Sequence, residues 1–164
     1  MALKQGLLTV AVSMALLATP ALAQQAKIAF GDLAQDTTQP VEVTADQLAV
    51  NNADGTAVFS GNVKVVQGDM TLSAGEVQVK YGSTPGEIDQ LVASGGVSVT
   101  NLGDAASADG AVYTIDSGVI VMSGNVVLTQ GPSSMRGQEL TINLKDGTGL
   151  MSGRVTTTFV PGGN

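Results

Sequence analysis

The side chains of this sequence that could take part in chemistry are carboxylates. The 164 residues include 14 acidic and 7 basic side chains, but no cysteine and no histidine. Two carboxylates, Asp46 and Asp109, each follow an alanine in matching contexts, and such a pair could act in general acid–base catalysis or bind a metal ion. The missing residue types exclude disulfide bonds, cysteine–histidine zinc sites and imidazole-dependent nucleophilic triads. A carbohydrate-active enzyme with paired carboxylates is the catalytic alternative that remains open.

Turn formation is the favoured role for these acidic residues. Aspartate at a strand end hydrogen-bonds its neighbouring backbone, which explains Asp46 and Asp109 without any ligand. The stretch 51–55 is similar to a calcium loop but lacks the alternating carboxylates and the closing glutamate, so we predict a hairpin turn there. We therefore predict no enzyme activity, no metal site and no cofactor. The net charge of −7 argues against a nucleic-acid partner.

The first 23 residues have the pattern of a cleaved secretory signal peptide. Lys4 precedes an apolar run over 6–17, and Pro20 leads into the small-residue site Ala21-Leu22-Ala23. As a helix the run would be about 18 Å long, too short to remain as a membrane anchor across a core of roughly 30 Å. We predict secretion, with a flexible segment over 24–38, one folded domain over 39–161 and a disordered tail over 162–164.

The elements that position these residues are predicted to be β-strands. Apolar and polar residues alternate, as in Val63-Lys64-Val65, and the 21 glycines of the chain fall largely in turn-like clusters. Nine to eleven strands are expected, with clear candidates at 41–43, 47–50, 57–66, 71–81, 88–100, 111–115, 119–128, 138–144 and 154–160. Turn signals separate them, including one that spans 104–110. The fold class is therefore all-β.

An internal repeat organises the strands. Ser-Gly-x-Val steps begin at residues 60, 94, 123 and 152, and the segments around Asp46 and Asn62 recur 63 residues later around Asp109 and Asn125. A period in this range indicates stacked units that each need a neighbour to bury their apolar side. Glycine within a strand usually marks a bulge or a bend, so the four steps are predicted to fold long strands across two facing sheets.

The interior of the resulting roll is predicted to be apolar and thinly filled. Its candidate residues are slim aliphatics, namely Val41, Val43, Val63, Val65, Val77, Val79, Val97, Val99, Val126, Leu128, Leu140 and Ile142. Only 3% of the chain is aromatic, so few side chains could plug a wide interior. A groove between the sheets that holds lipid chains is therefore expected.

Four motifs carry a family resemblance. In order, the segments 39–46, 59–68, 122–126 and 152–157 resemble the OstA-like family, and the resemblance covers about 39–161. It implies a single twisted β-jelly roll, open at both ends, whose groove shields the acyl chains of lipopolysaccharide. It also implies a bridge of rolls across the periplasm, between an inner-membrane extractor and an outer-membrane translocon.

The resemblance also assigns lipid-facing positions. These are Val41, Val43, Val99, Tyr113 and Ile115, of which the position of Val99 is often aromatic in the family. Together with the interior candidates Val63, Val65, Val126 and Leu128, they form the predicted acyl groove.

The ends of an open roll carry unpaired backbone groups, which predicts assembly. Pairing of the first strand with the last strand of another copy would satisfy them by β-augmentation and would propagate head to tail. The predicted edge residues are Val41, Glu42 and Val43 at one end and Arg154, Val155, Thr156, Thr157, Thr158 and Phe159 at the other. A secreted structural or adhesive β-roll with no lipid ligand is the alternative function.

Overall fold

The computed structural model describes residues 26–29, 34 and 36–160, all of which are strand, turn or irregular structure. The predicted signal peptide over 1–23 and the predicted tail over 162–164 lie outside the described residues. The strands are β1 Ala26–Ala29, β2 Glu42–Thr44, β3 Gln47–Asn51, β4 Thr56–Gln67, β5 Met70–Tyr81, β6 Ile88–Asn101, β7 Asp104–Thr114, β8 Val119–Gln130, β9 Ser133–Asn143, β10 Thr148–Ser152 and β11 Thr156–Thr158. The all-β prediction is confirmed.

Every strand pair is antiparallel, and consecutive strands from β4 to β10 are neighbours in one twisted sheet. At one end β2 and β3 both pair with β4, and at the other end β10 and β11 both pair with β9. Within the described part of the chain the sheet does not close on itself, so the prediction of an open roll is confirmed.

A line of bulges divides the sheet into two halves. Two residues on β4, β6 and β8 oppose one residue on the neighbouring strand at the first three predicted Ser-Gly steps, for example Gly61-Asn62 against Gly75. The fourth step, at Ser152-Gly153, separates β10 from β11. The two bulged residues, which follow the serine, both have positive φ. The values are +79° and +47° at Gly61-Asn62 and +81° and +49° at Gly124-Asn125. Such bulges bend and twist a strand, so each long strand contributes to both halves.

We name the halves by their residues. Half-sheet I contains β3, β10, β1 and the segments 56–60, 76–81, 88–94, 110–114, 119–123 and 139–143. Half-sheet II contains β2, β11 and the segments 63–67, 70–74, 97–101, 104–108, 126–130 and 133–137. The inner faces of both halves contribute to one continuous apolar core.

Two predicted boundaries are wrong. Residues 104–110, predicted as a turn, belong to β7, which begins at Asp104. The turn lies at Leu102-Gly103 instead. Small residues in this stretch have low strand propensity, but pairing with both β6 and β8 and the burial of Ala106 and Ala108 override that preference. For the same reason β9 begins at Ser133 rather than Gln138.

The structure also differs from the prediction of a flexible segment over 24–38. Residues Ala26–Ala29 form β1, which pairs with β10 through four register positions from Ala26 opposite Met151 to Ala29 opposite Thr148. The sequence reading contains no strand at this position.

Candidate functional site

The candidate site is the apolar interior between the two half-sheets. Six of the nine residues predicted to line an acyl groove are at most 2% exposed: Val63, Val65, Val99, Tyr113, Val126 and Leu128. They belong to one core cluster, which also contains the other interior candidates on β5, β6 and β9. The structure therefore brings these residues together, but in a packed interior.

The remaining three predicted residues mark where this interior can be reached. Val41, Val43 and Ile115 are half-buried and pack against the core. Val43 pairs with Val65 at the edge of half-sheet II, whereas Ile115 follows β7 at the end of half-sheet I. Apolar surface at the margin of a larger apolar core is where a lipid chain would make its first contact.

A polar contact links the two half-sheets inside this core. Tyr113 lies in half-sheet I and Gln67 in half-sheet II, and both are 1% exposed. The Tyr113 hydroxyl donates to Gln67 Oε1 at 2.7 Å. A satisfied hydrogen bond removes the penalty of burying two polar groups and favours the closed arrangement of the halves.

The same glutamine holds the chain segment that leads to β2. Gln67 Nε2 donates to the carbonyl oxygens of Thr37 and Gln39 at 2.9 and 3.0 Å. A Cβ added at Gly118, in the turn that follows β7, would lie 3.1 Å from Thr37 Cγ2. Residues 37–39 thus contact the turn ends of both halves. Sequence reasoning missed the role of Gln67, which it placed in a turn signal over 67–69 and, together with Gln130, in the 63-residue repeat.

Alkaline titration tests the closed interior. Burial raises the pKa of Tyr113 to about 12, from the ordinary value of 10.0. Because the pKa is higher in the folded state, the stabilisation is complete below pH 10 and is lost as the pH rises towards 12. We expect the free energy of unfolding to fall over this range by up to about 3 kcal/mol more than in Tyr113→Phe. Urea unfolding at a series of pH values measures the difference.

A spectroscopic control isolates the same group. The chain has two tyrosines, so in a Tyr81→Phe background the tyrosinate absorbance reports Tyr113 alone. Ionisation of Tyr113 at the pH of a free tyrosine, in protein that is still folded, would contradict the closed interior.

The aspartates singled out above occupy equivalent structural positions. Asp46 Oδ2 accepts a hydrogen bond from Asn62 Nδ2, and Asp109 Oδ2 accepts one from Asn125 Nδ2, both at 2.8 Å. Each carboxylate also covers the glycine of its bulge, Gly61 or Gly124. The equivalence of the two residues in the repeat is confirmed. The predicted strand-end turn is wrong for Asp109, which lies within β7 opposite the bulge of β8 because β7 extends across that stretch.

The edges of the half-sheets form the second candidate surface. β2 and β11 are the outermost strands of half-sheet II, so the residues predicted to assemble lie at its two ends. Half-sheet I begins with β3, where the sequence reading saw no interaction site. Leu48 and Val50 of β3 are 55% and 61% exposed, respectively, which is unusual for large aliphatic residues on an edge strand.

Within the described ranges, no helix has the length and apolarity to cross a membrane.

Comparison with known proteins gives a family match. A family model described as "LptA/(LptD N-terminal domain) LPS transport protein" matches residues 42–148. The match runs from the first residue of β2 to the first residue of β10 and so includes all the bulged strands.

Curated relatives and a solved structure agree with this match. An uncharacterised protein of Rhizobium meliloti is 31% identical, over 80% of this chain and 75% of its own length. The lipopolysaccharide export system proteins LptA of Haemophilus influenzae and Escherichia coli K12 are 25% and 28% identical, over 88% and 77% of this chain and 89% and 74% of their own. The crystal structure of LptH, the LptA homologous periplasmic component from Pseudomonas aeruginosa, has the same fold, with a TM-score of 0.68 and 18% identity over 77% of this chain and 99% of its own.

Proposed function

The chain belongs to the family of LptA and the LptD N-terminal domain, which are lipopolysaccharide transport proteins, and on this premise we propose how it carries its lipid. The acyl chains of lipopolysaccharide occupy the interior between half-sheets I and II, in contact with the nine predicted residues. The continuous apolar core that joins both inner faces is the observation that carries this proposal.

Apolar contact supplies the binding energy. The chain has a formal net charge of −7, and lipopolysaccharide is anionic, so long-range electrostatic attraction does not favour capture. Burial of ten methylene groups would contribute roughly 8 kcal/mol before the entropic and reorganisation costs of binding. The reorganisation is separation of the half-sheets, because most of the proposed contact residues are already buried against one another.

Entry begins at the half-buried margin. We place the first contact of an acyl chain at Val41, Val43 and Ile115, from which it reaches the core as the halves separate. Separation breaks the hydrogen bond between Tyr113 and Gln67, so this contact opposes filling and favours release of the lipid. A carrier that must pass its cargo onward benefits from such a bias.

Transport across the periplasm follows from assembly of the rolls. We propose that β2 of one copy pairs with β11 of the next, and that related jelly rolls of the inner-membrane extractor and the outer-membrane translocon pair with the two end copies. The exposed backbone at both ends of half-sheet II supports this head-to-tail arrangement. The protein acts in the periplasm as a non-enzymatic carrier.

Photo-crosslinking in cells tests the lipid site. A crosslinking amino acid at Val43 or Ile115 is expected to give lipopolysaccharide adducts, because both side chains reach the core margin. The matched control is Thr44, the next residue of β2, whose exposed side chain points to the opposite face of the sheet. Absence of adducts at Val43 and Ile115, or equal adducts at Thr44, would contradict the proposed groove and favour a structural β-roll.

A further inference from the structure

The two half-sheets end differently at the β10–β11 end of the roll. Half-sheet II ends with β11, which pairs with 134–136 of β9. Half-sheet I continues past β10 to one more strand, β1, which comes from the N-terminus of the chain. The outermost strand is therefore one strand further out in half-sheet I, a stagger of about 4.8 Å.

At the opposite end the two half-sheets are level. β2 and β3 are both bound directly to β4, and only residues 45–46 separate them. They behave as one strand interrupted at Asp46. In the same way, β10 and β11 behave as one strand interrupted at Gly153-Arg154, where both residues have positive φ, as in the bulges. If both half-sheets ended at the same distance, β2 and β3 of one copy could pair with the two end strands of the next copy at once. With half-sheet I longer by one strand, they cannot pair with β11 and β1 at the same time.

Strand direction leads to the same conclusion. Because all pairs are antiparallel, strand direction alternates across each half. In a head-to-tail stack of equally oriented copies, β2 of the next copy would be antiparallel to β11, and its β3 would be antiparallel to β10. Against β1, the same β3 would be parallel. The antiparallel pairing of half-sheet I therefore continues into the next copy only if β3 of that copy replaces β1 beside β10.

Exposed apolar residues identify β3 as the competing strand. All five residues of β3 are exposed, the strand carries no charged residue, and Leu48 and Val50 are its exposed large aliphatics. Natural edge strands are usually protected by charge or by shortness, and this one has no protecting charge. β1 is one residue shorter than β3 and contains Lys27.

We propose that β1 is a built-in cap on the β10 edge, and that a second copy's β3 displaces it when rolls assemble through both half-sheets. This inference rests on the head-to-tail assembly proposed above. The bound β1 keeps isolated copies from assembling through half-sheet I, because an intramolecular strand competes at a high effective concentration. Assembly then proceeds only where copies are concentrated or where a partner offers a stronger strand.

The test weakens β1 and measures self-association of the mature chain by sedimentation velocity. In Lys27→Pro/Ile28→Pro, one of two adjacent residues loses an N–H that points towards β10, because successive N–H groups of a strand point to opposite sides. We expect the dissociation constant of self-association to fall at least tenfold. Amide hydrogen exchange of Thr148–Ser152 is expected to speed up in the dilute variant and to slow again as the copies associate.

A second pair of variants tests β3 itself. Leu48→Lys/Val50→Lys is expected to raise the dissociation constant of the otherwise unchanged chain at least tenfold. Leu102→Lys is the matched control, because that side chain is 71% exposed in a turn and lies on no edge strand. This comparison also decides the matter if the proline variant no longer unfolds cooperatively.

Different results would contradict the β1 cap and the head-to-tail bridge. An unchanged or weaker self-association of the proline variant, or equal effects of the β3 and Leu102 substitutions, would overturn the cap. If association still depends on β11, the head-to-tail bridge survives that outcome. If association depends on neither β11 nor β3, the bridge itself is wrong.

Discussion

Gly124→Ala is expected to lower the free energy of unfolding by about 3 kcal/mol, the largest stability loss we expect from adding one methyl group at a bulge. Gly124 has a φ of +81°, and a Cβ there would overlap Asp109 Oδ2 and would lie 3.0 Å from Asp109 Cβ and Cγ. The left-handed backbone costs an alanine about 1–2 kcal/mol. Asp109 must also move, which breaks its hydrogen bond from Asn125 and adds about 1 kcal/mol.

Gly131→Ala is the matched control. Its φ is +53°, but among the described residues no atom outside its chain neighbours lies within 4 Å of the added Cβ, so only the backbone cost of about 1–2 kcal/mol applies. Urea unfolding of both variants measures the difference. Asp109→Ala/Gly124→Ala should cost less than the sum of its single changes, because the overlap is gone. Equal losses in Gly124→Ala and Gly131→Ala would contradict the packing of Asp109 over the bulge.

The bulges were predictable because their cause is local. A serine–glycine step followed by asparagine supplies two residues that tolerate positive φ, as Asn62 and Asn125 show. The aspartate that covers each glycine recurs at the same offset in the sequence. The alternating valines on either side then define the inner face, which is why the interior candidates agree with the observed core.

Other features depended on distant parts of the chain. The first part of β7 has weak local strand signals and is fixed by its two neighbours, β6 and β8. β1 pairs with a strand about 120 residues later, and Gln67 meets Tyr113 46 residues away. No local pattern encodes such pairings. The slim side chains predicted room for lipid in the interior, whereas their burial depends on how the inner faces of the two halves meet in the folded chain.

Proline at the β11 edge is expected to raise the dissociation constant of self-association at least tenfold. Thr156 and Thr157 lie opposite Arg136 and Met135 of β9, and since successive N–H groups alternate in direction, one of the two points away from β9. In the proposed stack that outward N–H bonds β2 of the next copy. Its loss, together with the bulk of the proline ring, removes more than the 1.4 kcal/mol that corresponds to a factor of ten.

Thr156→Pro and Thr157→Pro therefore serve as controls for each other. The variant whose inward N–H is lost should unfold more easily, because β11 is weakened within its own copy. The variant whose outward N–H is lost should keep its thermal stability and fail to associate. Sedimentation velocity and thermal unfolding of both proteins separate the two effects. If neither substitution changes association, β11 is not the assembly edge, and a bridge built through half-sheet II is excluded.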